Sequence, residues 1–122
     1  HPAQYAALES LRGPQEYISK FVSELKKQRD LVVKRLNSIP EISCSNPKGA
    51  FYAFPKIENN PFESDQEFVL NLLKSKGVLT VHGSGFGTKY GSEHFRLVFL
   101  PNMEKLNSAL DKIEDFVSSY KS

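Results

Sequence analysis

The chain has 122 residues, of which 39% are apolar and 25% are charged, and its formal net charge is +2. These values suit one globular domain with one core and exclude a disordered chain. The small positive charge does not indicate binding to nucleic acid or to an acidic membrane. No apolar run approaches the roughly 20 residues that a membrane span needs. The single cysteine, Cys44, excludes an internal disulfide and fits a reducing compartment. We therefore expect a cytoplasmic protein that binds neither nucleic acid nor membranes.

The N-terminal third of the chain predicts two helices. Residues 3–11 are rich in Ala and Leu and predict a short helix that ends at Gly13-Pro14. A second helix is predicted between Pro14 and Pro40, and its apolar residues recur every three or four positions: Ile18, Phe21, Val22, Leu25, Val32, Leu36 and Ile39. A helix of this length exceeds what so small a domain needs, so we expect it to bridge to a neighbouring domain.

The next segment predicts two short strands and a loop. Residues 42–46 and 50–54 are the strand candidates, and the turn Pro47-Lys48-Gly49 separates them. Residues 55–61 contain two prolines and Asn59-Asn60, a composition that is typical of a loop. These two strands are the first members of the predicted sheet.

A third helix is predicted to begin at Ser64, because Ser64 and Glu67 have the spacing of a capping box. In that motif each of the two side chains accepts a hydrogen bond from a backbone N–H that the helix leaves unpaired. Gly77 follows two lysines and is the expected end of this helix. The predicted buried face comprises Phe68, Val69, Leu72 and Leu73.

The last third of the chain predicts two strands, a loop between them and a final helix. Strands 78–81 and 94–100 flank the glycine-rich loop 82–92. Pro101-Asn102 opens the final helix, whose inner face comprises Leu106, Leu110, Ile113, Val117 and Tyr120. Helices and short strands in this order predict an α+β fold, in which helices pack on a small sheet.

Arg96 lies inside the apolar strand HFRLVFL, where burial of an unpaired charge is costly. Its guanidinium offers a planar fork of donors that fits a carboxylate bidentately, so one interpretation is a receptor for a substrate carboxylate. A salt bridge to one of the chain's own carboxylates is the second interpretation, and a side chain that reaches solvent from a strand edge is the third. The residues alone favour the second and third.

Two other patterns resemble binding sites. Gly83–Gly87 follows a strand, but it leads into another strand, whereas a dinucleotide-binding loop opens a helix. We interpret it as a mobile or tightly turning loop rather than a nucleotide site, and its glycines would still let backbone approach a ligand supplied from elsewhere. The basic residues Lys26, Lys27, Arg29, Lys34 and Arg35 are interrupted by acidic ones, which indicates a solvated helix face.

The candidate metal ligands and nucleophiles are isolated from one another. His1, His82 and His94 have no cysteine or carboxylate at the spacing of a metal site, although His94 lies on the same side of its strand as Arg96. Cys44 has no histidine near it in sequence, which argues against a thiol nucleophile.

Five segments, in order, resemble the C-terminal part of the class I/II aminotransferases, the aspartate aminotransferase-like group of fold-type I. AQYAALESLRGP resembles the helix that follows the cofactor lysine, and QRDLVVKRLNSIP resembles the next helix. NPKGAFYAFP resembles the family's Pro-x-Gly-Ala-Phe-Tyr-x-Phe strand. VHGSGFG resembles its Pro-Gly-Ser-x-Phe-Gly loop, with His82 where proline is usual, and FRL resembles its arginine strand. The resemblance covers nearly the whole chain.

The resemblance assigns substrate-binding residues to this chain. In the family the strand arginine binds the α-carboxylate of the substrate, and the matching residue here is Arg96. The same match places Phe51 and Tyr52 near the substrate pocket, and it implies that Gly49 lets backbone pass close by. The resemblance therefore favours the first interpretation of Arg96.

The resemblance also implies what the rest of a longer protein would supply. The family's cofactor is pyridoxal 5′-phosphate, bound by a lysine in a Ser/Thr-x-Ser-Lys segment, and the Ser-Lys pairs here, Ser19-Lys20 and Ser75-Lys76, lack that context. The chain begins His1-Pro2 rather than with Met. We therefore expect residues 1–122 to be the small C-terminal domain of a longer enzyme, without the large cofactor-binding domain and inactive alone.

The expected parent transfers an amino group between an amino acid and a 2-oxo acid, and the resemblance implies a homodimer. Two alternatives stay open at this point. Another fold-type I lyase would share this domain, and a free-standing α+β interaction module would share the fold without the chemistry.

Overall fold

The computed structural model describes residues 1–121, with side chains through Tyr120. It confirms the predicted α+β class: among these residues, two helices and three short strands are followed by three more helices and two more strands. Among the described residues, no helix combines the length and the apolar composition that crossing a bilayer would require.

The first two helices have the predicted positions but only part of the predicted burial. Helix α1 is Pro2–Arg12, helix α2 is Glu16–Ser38, and α1 has no buried residue. In α2 the apolar stripe is buried only towards the C-terminal end, where Val32 and Leu36 are fully enclosed. Along the N-terminal half of α2 the stripe is exposed, at Ile18, Phe21 and Val22. The described contacts therefore leave a long apolar face without cover.

The strands are shorter than predicted, and one falls in a predicted loop. Strand β1 is Ile42–Ser43, β2 is Tyr52–Ala53 and β3 is Lys56–Ile57, which pairs antiparallel with β1. The prediction of a loop over residues 55–61 was therefore wrong at β3. Pro55 concealed the strand because proline lacks the N–H of a ladder hydrogen bond, yet the carbonyl of Pro55 still accepts from the N–H of Phe95.

Strand β2 and the last two strands form a three-stranded antiparallel sheet. Strand β4 is Val81–His82, β5 is Phe95–Val98, and the order β2-β5-β4 places β5 in the centre. Strand β4 was predicted at 78–81, so its start is displaced towards the loop. The predicted loop 82–92 instead contains a 3₁₀ turn, Gly83–Phe86, and a short helix α4, Thr88–Gly91.

Helix α3, Asp65–Lys76, begins and ends as its capping residues predict. The Ser64 hydroxyl oxygen accepts a hydrogen bond from the N–H of Glu67 at 3.1 Å, and Gly77 adopts the left-handed φ of +68°. The reverse arm of the capping box differs from the prediction, since the Glu67 carboxylate accepts from the N–H of Glu63 rather than Ser64. Both carboxylate and hydroxyl still satisfy backbone donors at the start of α3.

Replacing Ser64 by alanine should lower the free energy of unfolding by about 1 kcal/mol, because the N–H of Glu67 loses its acceptor. Urea denaturation followed by circular dichroism measures this loss. The matched control is Ser75→Ala in the same helix, where the hydroxyl only donates to the carbonyl of Asn71. That change should be neutral or slightly stabilising, and equal losses in both variants would contradict the capping role.

The core lies between the sheet and helices α2, α3 and α5, the last of which spans Met103–Lys121. On the inner face of α5, Leu106, Leu110, Ile113 and Val117 are buried as predicted, Tyr120 is half-buried, and Phe116, which was not predicted, joins them. Aromatic rings fill the centre of this core in edge-on and stacked contacts: Phe62, Phe68, Phe95, Phe116 and Tyr120. Burial raises the pKa of the Tyr120 hydroxyl to about 12.

Candidate functional site

Arg96 lies on β5, the central strand of its sheet, and is half-buried. Its neighbours Phe95 and Leu97 are buried on the opposite face, as the two-residue period of a strand requires. A central strand has no free edge, so the interpretation of Arg96 as an arginine reaching solvent from a strand edge was wrong. The side chain instead lies on the sheet face that turns away from the core.

Two aromatic rings flank the Arg96 guanidinium. Its central carbon lies 4.4 Å from the ring centroid of Tyr52 and 4.2 Å from that of Phe86. Tyr52 comes from β2 and Phe86 follows β4, so the rings reach Arg96 from the strands on either side of β5. Rings of this kind attract the cation and hold its plane.

Arg96 has no carboxylate partner within residues 1–120. Arg29 by contrast is paired with Asp30 at 2.8 Å, and Arg35 is paired with Asp111 and Glu114 on α5. No carboxylate of the described side chains lies within 4 Å of the Arg96 guanidinium, and none of them accepts a hydrogen bond from it. The interpretation of Arg96 as an internal salt bridge is therefore not supported by the described residues.

A cavity of about 500 Å³ lies between β4, β5 and α5, on the core side of the sheet and therefore opposite the face that carries the Arg96 guanidinium. The guanidinium has five N–H donors in one plane, and the flanking rings hold that plane without using the donors. The arrangement can therefore bind a carboxylate in a bidentate manner at the edge of the guanidinium.

The three other residues that the resemblance assigned lie at different distances from Arg96. Tyr52 contacts it directly, and Phe51 packs on Tyr52 with ring centroids 4.6 Å apart. Phe51 and Gly49 line a separate cavity of about 350 Å³, which Arg96 does not border. A Cβ on Gly49 would meet nothing within 4 Å, and the left-handed φ of this turn, +57°, belongs to Ala50. The described chain thus brings Tyr52, but not Gly49, to the arginine.

The loop that carries Phe86 is fastened by a buried carboxylate. Asp65, the first residue of α3, is 3% exposed. Its two oxygens accept hydrogen bonds from the N–H of Ser84 at 2.7 Å and from the Ser84 hydroxyl at 2.9 Å. Sequence reasoning missed both Asp65 and Phe86 as site residues. The sequence signal that could have indicated Phe86 is the Ser-Gly-Phe run of this loop, because a serine that fixes a glycine-rich turn also fixes an aromatic residue two positions later.

The same loop is not a cradle for a phosphate group. The N–H of Gly83 donates to the carbonyl of His94, that of Ser84 donates to Asp65, and that of Gly87 donates to the carbonyl of Ser84. Gly83 and Gly91 are in direct backbone contact, since a Cβ on Gly83 would lie 2.2 Å from the Gly91 oxygen. The loop glycines therefore permit a close approach of backbone, as the sequence predicted. The backbone of Gly83 approaches that of Gly91 in this chain rather than a ligand.

The remaining candidates have structural surroundings. The His94 ring stacks on Phe54 at 5.0 Å, and Phe54 in turn meets Phe86 edge-on at 6.2 Å. Cys44 is buried, and burial raises the pKa of its thiol, which disfavours the thiolate. Within the described part of the chain, no three His, Cys, Asp or Glu side chains gather as a metal site would require.

No lysine in residues 1–120 has the setting of a covalent cofactor attachment site. All of these lysines are exposed except Lys76, which is half-buried and whose ammonium is ion-paired with Asp115. Lys20 and Lys76, the lysines of the two Ser-Lys pairs, lie on helices and away from Arg96's flanking rings. The described residues therefore do not fit the binding of pyridoxal phosphate by themselves.

Comparison with known proteins identifies the family. The sequence model described as "Aminotransferase class I and II" matches residues 1–113. The glutamate-pyruvate aminotransferase AlaA of Haemophilus influenzae is 39% identical over 125 residues, covering 98% of this chain and 30% of the relative. The aspartate/prephenate aminotransferase of Cereibacter sphaeroides is 37% identical over 123 residues, covering 93% of this chain and 30% of the relative.

Solved structures agree. The alanine aminotransferase from Pyrococcus furiosus superimposes with a TM-score of 0.93 at 52% identity, covering 97% of this chain and 30% of that chain. An aminotransferase from Escherichia coli gives a TM-score of 0.89 at 37% identity, covering 99% and 31%. The chain belongs to the class I and II aminotransferase family. It spans about 30% of the length of the relatives it matches.

Proposed function

We propose that this chain is the small C-terminal domain of a pyridoxal-phosphate-dependent aminotransferase and that Arg96 binds the α-carboxylate of its substrates. The observation that carries the proposal is a guanidinium flanked by Tyr52 and Phe86 with no carboxylate partner among the described side chains. A half-buried cation without an anion is costly, so this arrangement is best explained by a ligand that supplies the anion.

The uncovered apolar face supports the assignment to a larger protein. Helix α1 exposes Tyr5 and Leu11 by 74% and 80%, and α2 exposes Phe21 by 52%. Contiguous apolar surface of this kind marks an interface. We therefore assign the face formed by α1 and the N-terminal half of α2 to contact with a large domain, which is consistent with relatives about three times as long.

The proposed division of labour follows from which groups this chain has. Pyridoxal phosphate, when bound, supplies the electron sink for transamination. The described residues offer no buried lysine, and the N–H groups of Gly83, Ser84 and Gly87 already donate within the chain, so we place the cofactor on the part of the parent outside this chain. The role left to this chain is to hold the substrate: two parallel hydrogen bonds from Arg96 fix the carboxylate and so orient the α-carbon.

The flanking rings contribute to that role by limiting water. Tyr52 and Phe86 cover the guanidinium at 4.4 and 4.2 Å, so the donors face a partly dry environment in which a charge-assisted hydrogen bond is stronger. We propose that this domain closes over the substrate in the parent and excludes the remaining water.

The substrates we propose are an amino acid and a 2-oxo acid, which share the α-carboxylate. The relatives are named for alanine, for glutamate and pyruvate, and for aspartate and prephenate, which differ beyond that group. Arg96 recognises what these substrates have in common and does not distinguish among them. We further propose that the parent is a homodimer and a cytoplasmic enzyme.

The test is a transamination assay on the full-length parent loaded with pyridoxal phosphate. We expect product only when both an amino acid and a 2-oxo acid are supplied, with the parallel-line kinetics of a ping-pong reaction. Release of ammonia from the amino acid alone would instead support a lyase. On this chain alone, borohydride treatment with pyridoxal phosphate should label no single lysine stoichiometrically, and a specific adduct would contradict our placement of the cofactor.

A further inference from the structure

The burial of Asp65 is unexplained by the capping of α3. Ser64 already caps the helix, yet Asp65 is only 3% exposed and, within residues 1–120, has no cationic partner. Its partners are the N–H and the hydroxyl of Ser84, 19 residues along the chain. Burying a carboxylate costs free energy unless its oxygens accept hydrogen bonds. The two hydrogen bonds from Ser84 are the ones that offset this cost, and both come from the loop that carries Phe86.

Ser84 is also in contact with a histidine, and the hydrogen-bond directions follow. The Ser84 hydroxyl has one proton, and an ionised carboxylate can only accept, so the hydroxyl donates to Asp65. His82 Nδ1 lies 3.0 Å from the same hydroxyl oxygen and must therefore donate to it. The three side chains thus form a directed series, from His82 through Ser84 to Asp65.

Ser84, the middle member of this series, lies two residues before Phe86, whose ring covers Arg96. Ser84 and Phe86 belong to the same 3₁₀ turn, which the N–H of Gly87 closes on the carbonyl of Ser84 at 3.2 Å. Because the turn is only four residues long, fixing Ser84 also fixes the position of Phe86. Phe86 itself is 52% exposed and meets Phe54 only edge-on, so core packing does not hold it in place.

We propose that Asp65 is a positioning residue for the carboxylate receptor: through Ser84 it holds the loop so that the Phe86 ring lies against the Arg96 guanidinium. This inference rests on the proposed function of Arg96. It assigns to the start of α3 a role in substrate binding that the family match does not include. Loss of the series should free Phe86 and leave Arg96 held by Tyr52 alone.

The first test is spectroscopic and uses this chain. Ring currents from Tyr52 and Phe86 displace the NMR signals of the Arg96 side-chain protons. In Asp65→Asn an amide donor faces the N–H or hydroxyl of Ser84, so the displacement should fall to its value in Phe86→Leu. Ser84→Ala, which keeps the backbone N–H contact, should fall part of the way and serves as the gentler variant if Asp65→Asn is unstable.

The control is Asp111→Asn, the same chemical change at an exposed residue that pairs with Arg35. It should leave the Arg96 signals unchanged. Unchanged Arg96 signals in folded Asp65→Asn and in Ser84→Ala would overturn the proposal.

The second test is kinetic and uses the full-length parent. Asp65→Asn should raise KM for both the amino acid and the 2-oxo acid by roughly 10-fold with a smaller effect on kcat, because a misaligned receptor weakens binding. If Asp65 acts through Phe86, the double variant with Phe86→Leu should be no worse than Phe86→Leu alone. Additive effects would overturn the coupling. If Arg96→Ala leaves KM unchanged while the spectroscopic coupling persists, the proposed function fails and the positioning of Phe86 stands.

Discussion

Replacing Arg96 by alanine in the full-length parent should raise KM for every amino acid and 2-oxo acid substrate and lower kcat/KM by about 100-fold or more. The size follows from the loss of two charge-assisted hydrogen bonds, each worth about 1.5–3 kcal/mol. Absorbance of the bound cofactor should be unaffected, because Arg96 is assigned to the substrate and not to the cofactor. Steady-state kinetics with both substrate types measure the effect.

Two further variants separate charge from geometry. Arg96→Lys keeps the positive charge but loses the planar fork, so it should recover only part of the lost affinity. Lys34→Ala removes an exposed positive charge from α2 and should leave the kinetics unchanged. Unchanged KM in Arg96→Ala, or a loss of equal size in Lys34→Ala, would remove Arg96 from carboxylate binding.

Replacing Phe68 by alanine should lower the free energy of unfolding of this chain by about 3–5 kcal/mol, a large part of the stability of a small domain. Phe68 is fully buried, and its ring centroid lies 5.3–5.4 Å from those of Phe95 and Phe116. The loss combines the transfer of an aromatic side chain from water with the cavity that it leaves. Urea denaturation gives the value.

Phe86→Ala is the matched control, since it makes the same change at a ring that is 52% exposed. Its cost should stay below about 1 kcal/mol, because one exposed aromatic contact contributes little. Comparable losses in the two variants would mean that the aromatic cluster around Phe68 is not the centre of the core.

The helices of this fold could be predicted from the sequence because their signals are local. Ser64 and Gly77 begin and end α3 as their residue types require, and Pro14 and Pro40 bracket α2 to within two residues. Strand pairing carries no such local signal. Lys56 and Ile57 form a strand because Ile42 and Ser43 lie opposite them, and nothing near Pro55 in sequence indicates that partner.

The candidate site was predictable where one residue was anomalous and not where several cooperate. An arginine among buried residues is unusual, so Arg96 could be singled out from HFRLVFL alone. Phe86 is ordinary in sequence and becomes notable only when β4 and β5 pair and bring it over the guanidinium. Asp65 was concealed for another reason, since acidic residues are common in the first turn of any helix.

The exposed helix α1 has a consequence for the order in which this protein assembles. It has 11 residues, none of them buried, and an isolated helix of fewer than about 12–15 residues is only marginally stable in water. The equilibrium between the helical and unfolded states of α1 therefore depends on contact with a second surface that covers its apolar side chains. The core around Phe68 and the rings around Arg96 make no contact of this kind, because the sheet, the 3₁₀ turn and helices α2, α3 and α5 supply the groups that pack there. If the proposed docking surface is correct, we expect the helicity of α1 to rise when that surface is covered, while the surroundings of Arg96 stay as they are.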